Sequence, residues 1–295
     1  MGLDPEVTTV DFSAPVEVAR GSAVSDSDGV RRATLLFEQG TALALVMANG
    51  STQPLTGPLH VRATEYTVGG NGRSAMPAEL PATSAYTYCV ELSADEVQAA
   101  GAREVRFSKP VVFYLENFLH LPVGKGVPAG SYDRATATWK AEPDGRVIKI
   151  VGSSGGEAQV DLTGDDVAES SASLDSVGID AAERQQLAGL YASGQSLWRC
   201  EASHFSPWDF NLAWKWVFDF FTQTLPDLIR GDRHQNDPCE TGHSIIECQN
   251  QVLGERVPVT GTPFTLNYRS NRVPGFRAAC RMIVPLTAGT VPAIN

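Results

Sequence analysis

The chain has 295 residues, a formal net charge of −11 and 42% hydrophobic residues. An acidic chain without a run of lysine or arginine is repelled by phosphate backbones, so nucleic acid is not expected as a partner. No stretch reaches about 18 uncharged apolar residues, so no transmembrane span is expected. The first ten residues, MGLDPEVTTV, lack the basic start and apolar core of a secretory signal peptide. At roughly 100–200 residues per domain, the length predicts two domains.

Two nonapeptides in the first half of the chain share Val, Phe, Ser, Pro and Val at the same five positions: VDFSAPVEV at 10–18 and VRFSKPVVF at 105–113. Apolar residues such as Val10, Phe12 and Val16 recur with the period of two that is typical of a half-buried strand. Each copy carries a proline in its middle, and a residue that cannot donate to a ladder is confined to edge strands and bulges. We therefore predict that both copies form proline-marked edge or bulged strands of a β-sandwich.

Short strands separated by turn signals continue to residue 151. Turns are predicted at Gln39-Gly40, Asn49-Gly50 and Asp144-Gly145. Ser93 followed by Glu96 is a capping box, which predicts a short helix that stops at Gly101. The predicted fold class is mainly β. Residues 31–151 would form an antiparallel β-sandwich, preceded by a lead-in strand in 1–30 that could end an earlier module.

The composition changes after residue 151. Residues 152–240 are predicted to hold a surface loop rich in glycine, serine and aspartate, then a short helix and an aromatic-rich linker. The helix has a well-marked start, because Asp180 is a plausible N-cap and Glu183 follows three residues later. Residues 241–295 are predicted to form additional strands.

The linker FNLAWKWVFDFFTQTLPDLI, which starts at residue 210, is rich in aromatic side chains at helical spacing. If buried, this face would dock on the rest of the protein, and if exposed it would bind a partner or a lipid surface. Docking is favoured, and Trp214, Phe218 and Phe221 are the candidate contacts with a partner. The strand around Tyr86 and Tyr88 is a second candidate contact surface.

A few residues suggest hydrolase chemistry. Ser154 lies in a G-x-S-x-G pattern, as in the nucleophile elbow of α/β-hydrolases, but no helical pattern follows, so a flexible turn is expected. His204 could pair with Asp209, or with Cys200 as the nucleophile, because they alternate along one extended run. A single histidine beside aromatic residues is more often packed in a cluster. We therefore predict no active site.

An acidic stretch at Asp161, Asp165 and Glu169 offers candidate calcium ligands. Alternating oxygen donors, a turn-making glycine and a later carboxylate are what a calcium loop requires. Gly164 precedes the third ligand, however, which departs from the EF-hand order. A solvated acidic loop is the favoured interpretation, and calcium binding is the alternative.

Several motifs in one order resemble a known family. The segment SIIECQNQVLGERVPVTGTPFTLNYRSNRVPG at 244–275 resembles the leading segment of bacterial Rhs/YD-repeat proteins, a group similar to teneurins and to the B/C components of Tc toxins. Upstream, LHVRATEYTVG, VVFYLENFLHLPVG, VPAGSYDR, ERQQLAGLYASGQSLWR and HFSPWD resemble the region before the repeats in such proteins. The resemblance extends over most of 30–295.

The resemblance implies a β-rich region that abuts or plugs a hollow shell of YD repeats, which encloses a C-terminal toxin or effector. The expected partners are the chain's own downstream shell or effector, and the expected location is secreted or on the cell surface. No YD repeats follow, which implies a fragment or a truncated gene. An aromatic segment also stands where a proline-rich linker is expected, so the role of 210–240 is left open. The family supplies no catalytic residue here.

The sequence thus predicts a non-enzymatic structural and interaction region of an Rhs/YD-repeat-type surface or toxin-delivery protein. The candidate core residues are Trp139, Trp198, Trp208, Phe113 and Tyr114. The first alternative is an extracellular binding module, either a carbohydrate-dependent or a calcium-dependent adhesin. The second alternative is a hydrolase that uses Ser154 or Cys200 with His204.

Overall fold

The computed structural model describes residues 2–68, 75–78 and 87–211, together with the backbone of three strands between residues 246 and 269. Within these residues the chain is mainly antiparallel β-structure with a few short helices. The predicted fold class is therefore confirmed.

The strands of the first 209 residues are β1 (Thr8–Val10), β2 (Val16–Arg20), β3 (Val24–Asp26), β4 (Gly29–Arg31), β5 (Thr34–Glu38), β6 (Leu43–Met47), β7 (Thr52–Leu55), β8 (Leu59–Glu65), β9 (Cys89–Ala94), β10 (Ala102–Glu116), β11 (Gly126–Asp133), β12 (Thr138–Ser154), β13 (Glu157–Asp161), β14 (Ser196–His204) and β15 (Pro207–Asp209). The helices are α1 (Asp95–Ala99), α2 (Ser171–Ser176) and α3 (Ala181–Leu190). The last three strands are β16 (Ile246–Gln249), β17 (Val252–Pro258) and β18 (Thr265–Arg269).

Thirteen strands of the described residues form one sheet, whose main path runs β1-β8-β9-β15-β11-β12-β14-β10-β5-β2. The two ends of this path are consecutive in the chain, and β1 lies against β2. At this seam the backbone N–H of Arg20 donates to the hydroxyl of Thr8 at 3.3 Å. The sheet is therefore a nearly closed, barrel-like layer around a shared core.

The first nonapeptide is not one strand. The chain leaves β1 after Val10, Phe12 adopts a positive φ of 60°, and β2 begins at Val16 on the other end of the sheet path. The Glu17 carboxylate stabilises this corner, because it accepts hydrogen bonds from the backbone N–H groups of the turn. The prediction of a single strand for this copy is wrong, since the proline marks a corner between two strands.

The second nonapeptide lies inside β10 and keeps β14 as its neighbour on one side. On the other side, β10 pairs first with β6 and then with β5. The register with β14 shifts between Arg106 and Val111, which brackets Pro110. The predicted bulge is confirmed, whereas the predicted edge position is wrong because this strand has partners on both sides.

The phenylalanines of the two copies meet in the core. Phe12 and Phe107 each pack edge-on against Phe37, with ring centroids 6.0 Å apart in both pairs. The ring centroid of Phe205, from the shorter but similar segment Phe-Ser-Pro at 205–207, lies 6.2 Å from that of Phe37. Offset and edge-to-face arrangements of this kind add stabilisation beyond area burial, so the repeated phrase supplies aromatic anchors around one central side chain.

Most of the predicted core residues are confirmed. Trp198, Trp208, Phe113 and Tyr114 are buried. Trp139 is only half-buried and packs against Tyr132 on the outer side of the sheet, with the ring centroids 5.3 Å apart. Of the two tyrosines predicted as a contact surface, Tyr88 is instead buried in the main core, and Tyr86 lies outside the described residues.

A second apolar cluster covers the opposite face of the sheet, beneath α2 and α3. Leu187 of α3 and Ile148 of β12 are among its fully buried members. Glu183 fixes α3 to the sheet, because its carboxylate accepts two hydrogen bonds from the Arg199 guanidinium, at 2.8 and 3.0 Å, and one from the Tyr114 hydroxyl. Asp180 caps α3 by accepting from the Glu183 N–H at 2.8 Å, as predicted.

Helix α1 lies where it was predicted, but its cap differs. The N-cap residue is Ala94, and no side chain caps the helix. The hydroxyl of Ser93 is buried and has no partner among the described residues. Glu96 instead accepts from the backbone N–H of His60 at 2.9 Å, because pairing of β8 with β9 places it beside that strand. The predicted capping box is therefore wrong.

Two predictions after residue 140 also need correction. No turn forms at Asp144-Gly145, because β12 runs without interruption from Thr138 to Ser154. The stretch predicted as a loop at 152–176 contains the end of β12, a hairpin turn at Gly155-Gly156, the strand β13 and the helix α2. The predicted boundary at residue 151 lies inside β12, and β13, β14 and β15 belong to the same sheet as the strands before it.

The strands β16, β17 and β18 form a separate three-stranded antiparallel sheet. The prediction of strands after residue 241 is confirmed for these segments. The aromatic linker beyond Asn211, with Trp214, Phe218 and Phe221, lies outside the described residues.

Candidate functional site

The residues proposed for a hydrolase do not come together. Ser154 ends β12 at the Gly155-Gly156 hairpin, beyond the start of β14, whereas His204 ends β14 at its other end. Thirteen positions of ladder separate them, which corresponds to about 40 Å at the rise of an extended strand. Cys200 is four residues from His204 on the same strand, or about 13 Å by the same rise, which is too far for a hydrogen bond.

Cys200 is buried in the main core, and its burial raises the pKa of the thiol well above its usual value. A thiolate nucleophile requires the opposite shift. This cysteine therefore behaves as an apolar core residue.

His204 is held between two serine hydroxyls, Ser203 at 3.2 Å from Nδ1 and Ser206 at 3.3 Å from Nε2. A serine hydrolase triad requires a carboxylate on one ring nitrogen and an accessible serine on the other. Here no carboxylate contacts the ring among the described residues, and Ser206 is 3% exposed. Burial lowers the pKa of His204, although Glu104 and Glu142 act in the opposite direction, and this favours the neutral ring.

Asp209, the other candidate partner of His204, bonds elsewhere. It lies on β15 between β9 and β11 and accepts a hydrogen bond from the Asn211 amide. The Asn211 side-chain oxygen in turn accepts from the Tyr88 N–H at 3.1 Å. Burial raises the pKa of Asp209 to about 7, which the bonds from Asn211 only partly offset. The Asp209 carboxyl group thus belongs to a hydrogen-bond network at the end of β15 and the start of β9.

The acidic loop closes on Asp161. Its Oδ1 accepts from the N–H groups of Thr163 and Gly164, both at 2.8 Å, and its Oδ2 accepts from Asp166 N–H at 2.9 Å. Burial opposes ionisation, but the hydrogen bonds from Gly164, Thr163 and Asp166 outweigh it and lower the pKa of Asp161. Asp165 accepts from the Val167 N–H at 3.0 Å. The first predicted calcium ligand therefore stabilises the turn itself.

The last calcium candidate, Glu169, is joined to β13 through its backbone N–H, which donates to Val160. In the part of the chain that the structure describes, no three His, Cys, Asp or Glu side chains are grouped closely enough to hold a metal ion. Calcium binding by this loop stays a prediction.

Among the clefts of the described residues, a polar one opens near the place where β12 and β14 separate. Their ladder ends where Arg146 lies opposite Arg199. Before Arg146, β12 remains paired with β11, and after Arg199, β14 remains paired with β10. Gly145 lies at the point of separation, where a methyl group would overlap the Cys200 sulfur and the Arg199 carbonyl oxygen. Because glycine has no side chain, the backbones of β12 and β14 can approach closely here before the two strands separate.

The cleft beyond this point has a volume of about 420 Å³. Its walls come from the starts of β10 and β12 and the ends of β11 and β14, with Ser206 and Phe107 among the lining residues. Volumes of this size are within the usual range of about 300–1,000 Å³ for ligand sites. Because every wall belongs to a strand of one sheet or its end, the site is built on a rigid scaffold.

Most charges at the cleft are paired. The ion pairs are Arg106–Glu104 (2.7 Å), Lys140–Asp133 (2.5 Å) and Arg134–Glu91 (2.8 Å). Two charges of opposite sign lack an ionic partner among the described residues. Arg103 on β10 is one, and Glu142 on β12, which accepts a hydrogen bond from the Ser131 hydroxyl at 2.7 Å, is the other. Among the described residues, Arg103 and Glu142 thus line opposite walls of the cleft without an ion pair.

Comparison with known proteins adds no family to this description: no protein-family model matches the chain, and no curated protein or solved structure is significantly similar to it. Membership of the Rhs/YD-repeat group therefore stays a prediction from the residues.

Sequence reasoning identified His204 but not the cleft around it. The cleft is lined from three separate parts of the chain, 103–107, 131–142 and 203–206, and only the ladder registers bring them together. The one local signal was the alternation of charge at Glu104 and Arg106 and at Lys140 and Glu142, which is common on solvent-facing strands and carries little information by itself.

Proposed function

We propose that this chain is a non-enzymatic structural and interaction region of an Rhs/YD-repeat-type protein, where it packs against or plugs a β-shell. The observation that carries the non-enzymatic part is the dispersal of Ser154, Cys200 and His204 along the sheet. The family resemblance supports the remainder. Most chemically capable side chains of the described region instead hold the fold together, as Glu183 and Asp161 do.

The architecture suits such a role. Long central strands with large buried aromatic side chains give a rigid body, and β16, β17 and β18 supply a further antiparallel sheet in the segment that resembles the start of the shell. No helix in the described residues has the length and apolar character needed to cross a bilayer. Attachment to a shell, a secreted or cell-surface location and a C-terminal effector are all part of the proposal.

Two experiments test this function. The first reads the gene downstream of residue 295, where we expect YD repeats, and the absence of repeats would reject the shell. The second screens the protein against ester and peptide substrates, where we expect no turnover above background. Turnover that disappears in Ser154→Ala, Cys200→Ala or Ser206→Ala would show that the protein is a hydrolase.

An extracellular binding module is the second candidate, and the polar cleft favours it. Its calcium-dependent form is best tested at Asp165, because Asp161→Ala would also remove the hydrogen bonds that close the loop. An adhesin of this type requires that calcium raise the melting temperature of the wild type and leave that of Asp165→Ala unchanged. Equal melting temperatures with and without calcium would reject it.

A further inference from the structure

A polar pocket of about 300 Å³ lies at the seam of the sheet, where β1 and β2 run side by side without pairing. We propose that this pocket binds a small molecule that carries a phosphate or sulfate group together with hydroxyl groups, and that Arg20 and Arg32 hold the anionic group. The inference goes beyond the proposed function, because it depends neither on a shell nor on the cleft beside His204.

Strand pairing places the two arginines on one face of the sheet. The ladder between β2 and β5 ends with Arg20 opposite Thr34. Pairing continues for one more residue, because the Gly21 N–H donates to the Ala33 carbonyl at 3.0 Å. Arg32 precedes Thr34 by two residues, so it lies on the same face as Arg20 and diagonally across from it. Diagonal neighbours are about 7–8 Å apart, which lets two long side chains reach one group between them.

The buried ring of Tyr191 independently shows that both arginines lie at this corner of the sheet. Burial raises the pKa of Tyr191 to about 12, which the nearby Thr34 hydroxyl and the positive charges of Arg20 and Arg32 only partly offset. The Tyr191 hydroxyl is buried and lacks a hydrogen-bond partner among the described residues. Polar groups near the arginine pair are therefore left with unused hydrogen-bonding capacity.

Neither arginine forms an ion pair within the part of the chain that the structure describes. Arg20 donates from Nε to the Thr34 hydroxyl at 3.3 Å, and Arg32 donates only its backbone N–H, to the Glu116 carboxylate at 2.5 Å. The remaining guanidinium donors match the oxygen atoms of a phosphate or sulfate group, which arginine binds with two parallel hydrogen bonds. Two neighbouring cations without an ionic partner, in a chain of net charge −11, thus favour an anionic ligand.

The backbone around the pocket is fixed by contacts that need no ligand. The Asp4 carboxylate accepts hydrogen bonds from the Ser22 N–H at 2.8 Å, the Ser22 hydroxyl at 2.6 Å and the Glu6 N–H at 2.9 Å. Gly21 approaches β8 so closely that a methyl group would lie 2.8 Å from the Ala63 carbonyl oxygen. The pocket is therefore formed in advance, which lowers the cost of binding.

The other polar groups of the pocket indicate a ligand with hydroxyl groups. The Thr8 hydroxyl accepts from the Arg20 N–H at 3.3 Å and is left free to donate. Glu6 is exposed in the wall, where its carboxylate repels a bare anion but accepts hydrogen bonds from hydroxyl groups. The volume is also at the lower end of the range for small-molecule sites. A sugar phosphate or a sulfated sugar supplies both kinds of group.

Four probes test this assignment and distinguish the two sources of the anionic group: glucose 6-phosphate, glucose 6-sulfate, inorganic phosphate and glucose. Titrations of the full chain followed by NMR chemical shifts measure weak affinities for all four. We expect one charged sugar or both to bind at least about tenfold more tightly than glucose and than inorganic phosphate. The tighter of the two identifies whether the site prefers phosphate or sulfate.

Substitutions assign the binding to the arginine pair. Arg20→Gln and Arg32→Gln should each weaken binding of the preferred charged sugar about tenfold, because each removes charge-assisted hydrogen bonds. The control variant Arg146→Gln makes the same change of charge at an exposed position outside the pocket and should keep the wild-type affinity. Melting temperatures establish that the three variants fold.

A substitution of Glu6 tests the hydroxyl part of the proposal. Glu6→Ala relieves repulsion for every anion alike but removes an acceptor that only the sugar uses. The preference for the charged sugar over inorganic phosphate should therefore fall, and an unchanged preference would reject the role of Glu6.

Three results would overturn the site itself. The proposal is wrong if neither charged sugar binds, or if glucose or inorganic phosphate binds as tightly as they do. It is also wrong if Arg146→Gln weakens binding as much as the pocket variants, because net charge alone would then explain the affinity.

Discussion

The two nonapeptides share five of their nine residues but fold differently. In the first copy the chain turns a corner from β1 to β2, whereas in the second it stays within β10 and passes through a bulge. The difference begins at one position, where Glu17 in the first copy corresponds to Val112 in the second. Glu17 accepts hydrogen bonds from three backbone N–H groups and so stabilises a turn, which valine cannot do.

In the second copy, different hydrogen bonds satisfy the backbone groups where the strand pairing is interrupted. Ser108 exchanges two hydrogen bonds with Ala42, donating its N–H at 2.9 Å and accepting with its hydroxyl at 2.8 Å. A proline thus determines only that a ladder is interrupted, and the neighbouring polar residues determine whether the chain turns or bulges. What the copies share is the phenylalanine that packs on Phe37.

Removing that shared anchor should have the largest effect. Phe37 is 1% exposed and contacts the phenylalanines of both copies and Phe205. We expect Phe37→Ala to lower the free energy of unfolding by about 3–5 kcal/mol, through lost burial and the cavity left behind. Denaturant unfolding of this variant measures the loss, with Phe37→Leu as a milder control. A loss below 1 kcal/mol would show that the shared anchor is not important for stability.

The Phe-Ser-Pro segment at 205–207 leads into Asp209, which should add a pH dependence to the stability of the fold. A folded-state pKa of about 7, above the ordinary 3.8 of an aspartate, means that the folded protein prefers the protonated carboxyl group. The stabilisation that the protonated carboxyl group of Asp209 gives to the folded protein is fully present below pH 4 and is lost as pH rises toward 7.

We therefore expect Asp209→Asn to raise the free energy of unfolding at pH 7.5 by on the order of 2–4 kcal/mol relative to wild type, and to change it little at pH 4. Unfolding measured at both pH values checks this. An equal effect of the substitution at the two values would contradict the assignment.

Converting the first copy toward the second tests the role of the acid. Glu17→Val removes the acceptor for three N–H groups, and we expect a loss of about 1–2 kcal/mol in the free energy of unfolding. Glu17→Gln keeps one acceptor oxygen and should lose about half as much. The prediction fails if Glu17→Val and Glu17→Gln are equally stable.

The smallest expected effect is a difference in stability between alanine substitutions of the two corresponding serines. Ser108→Ala removes an acceptor from the Ala42 N–H and should lower stability by about 0.5–1.5 kcal/mol. Ser13→Ala removes only an exposed hydroxyl at 3.4 Å from Glu17, so we expect no measurable change. If the two substitutions had equal effects, the serines would have the same role in both copies, contrary to their contacts.

Sequence reasoning succeeded where the determinants are local. Asp180 caps α3 because an N-cap acts on its own helix, and the hairpin between β6 and β7 lies at Asn49-Gly50, where Gly50 has the positive φ that such turns favour. It failed where tertiary contacts override a local signal. Ser93 does not cap α1, because pairing of β9 with β8 determines the conformation of the residues before the helix.

The candidate site shows the same limit. Gly145 suggested a turn, yet it is a glycine because β14 approaches the backbone there. The cleft was not predictable, since it exists only because β12 and β14 share a short ladder and then follow different neighbours.

The position of β14 between β10 and β12 also has a consequence for biosynthesis. The ribosome completes β12 about 50 residues before it completes β14. At about 5–20 residues per second, the nascent chain keeps the long flanks of two finished strands uncovered for several seconds. Until β14 joins the two halves of the sheet, these unpaired edges can pair with another chain.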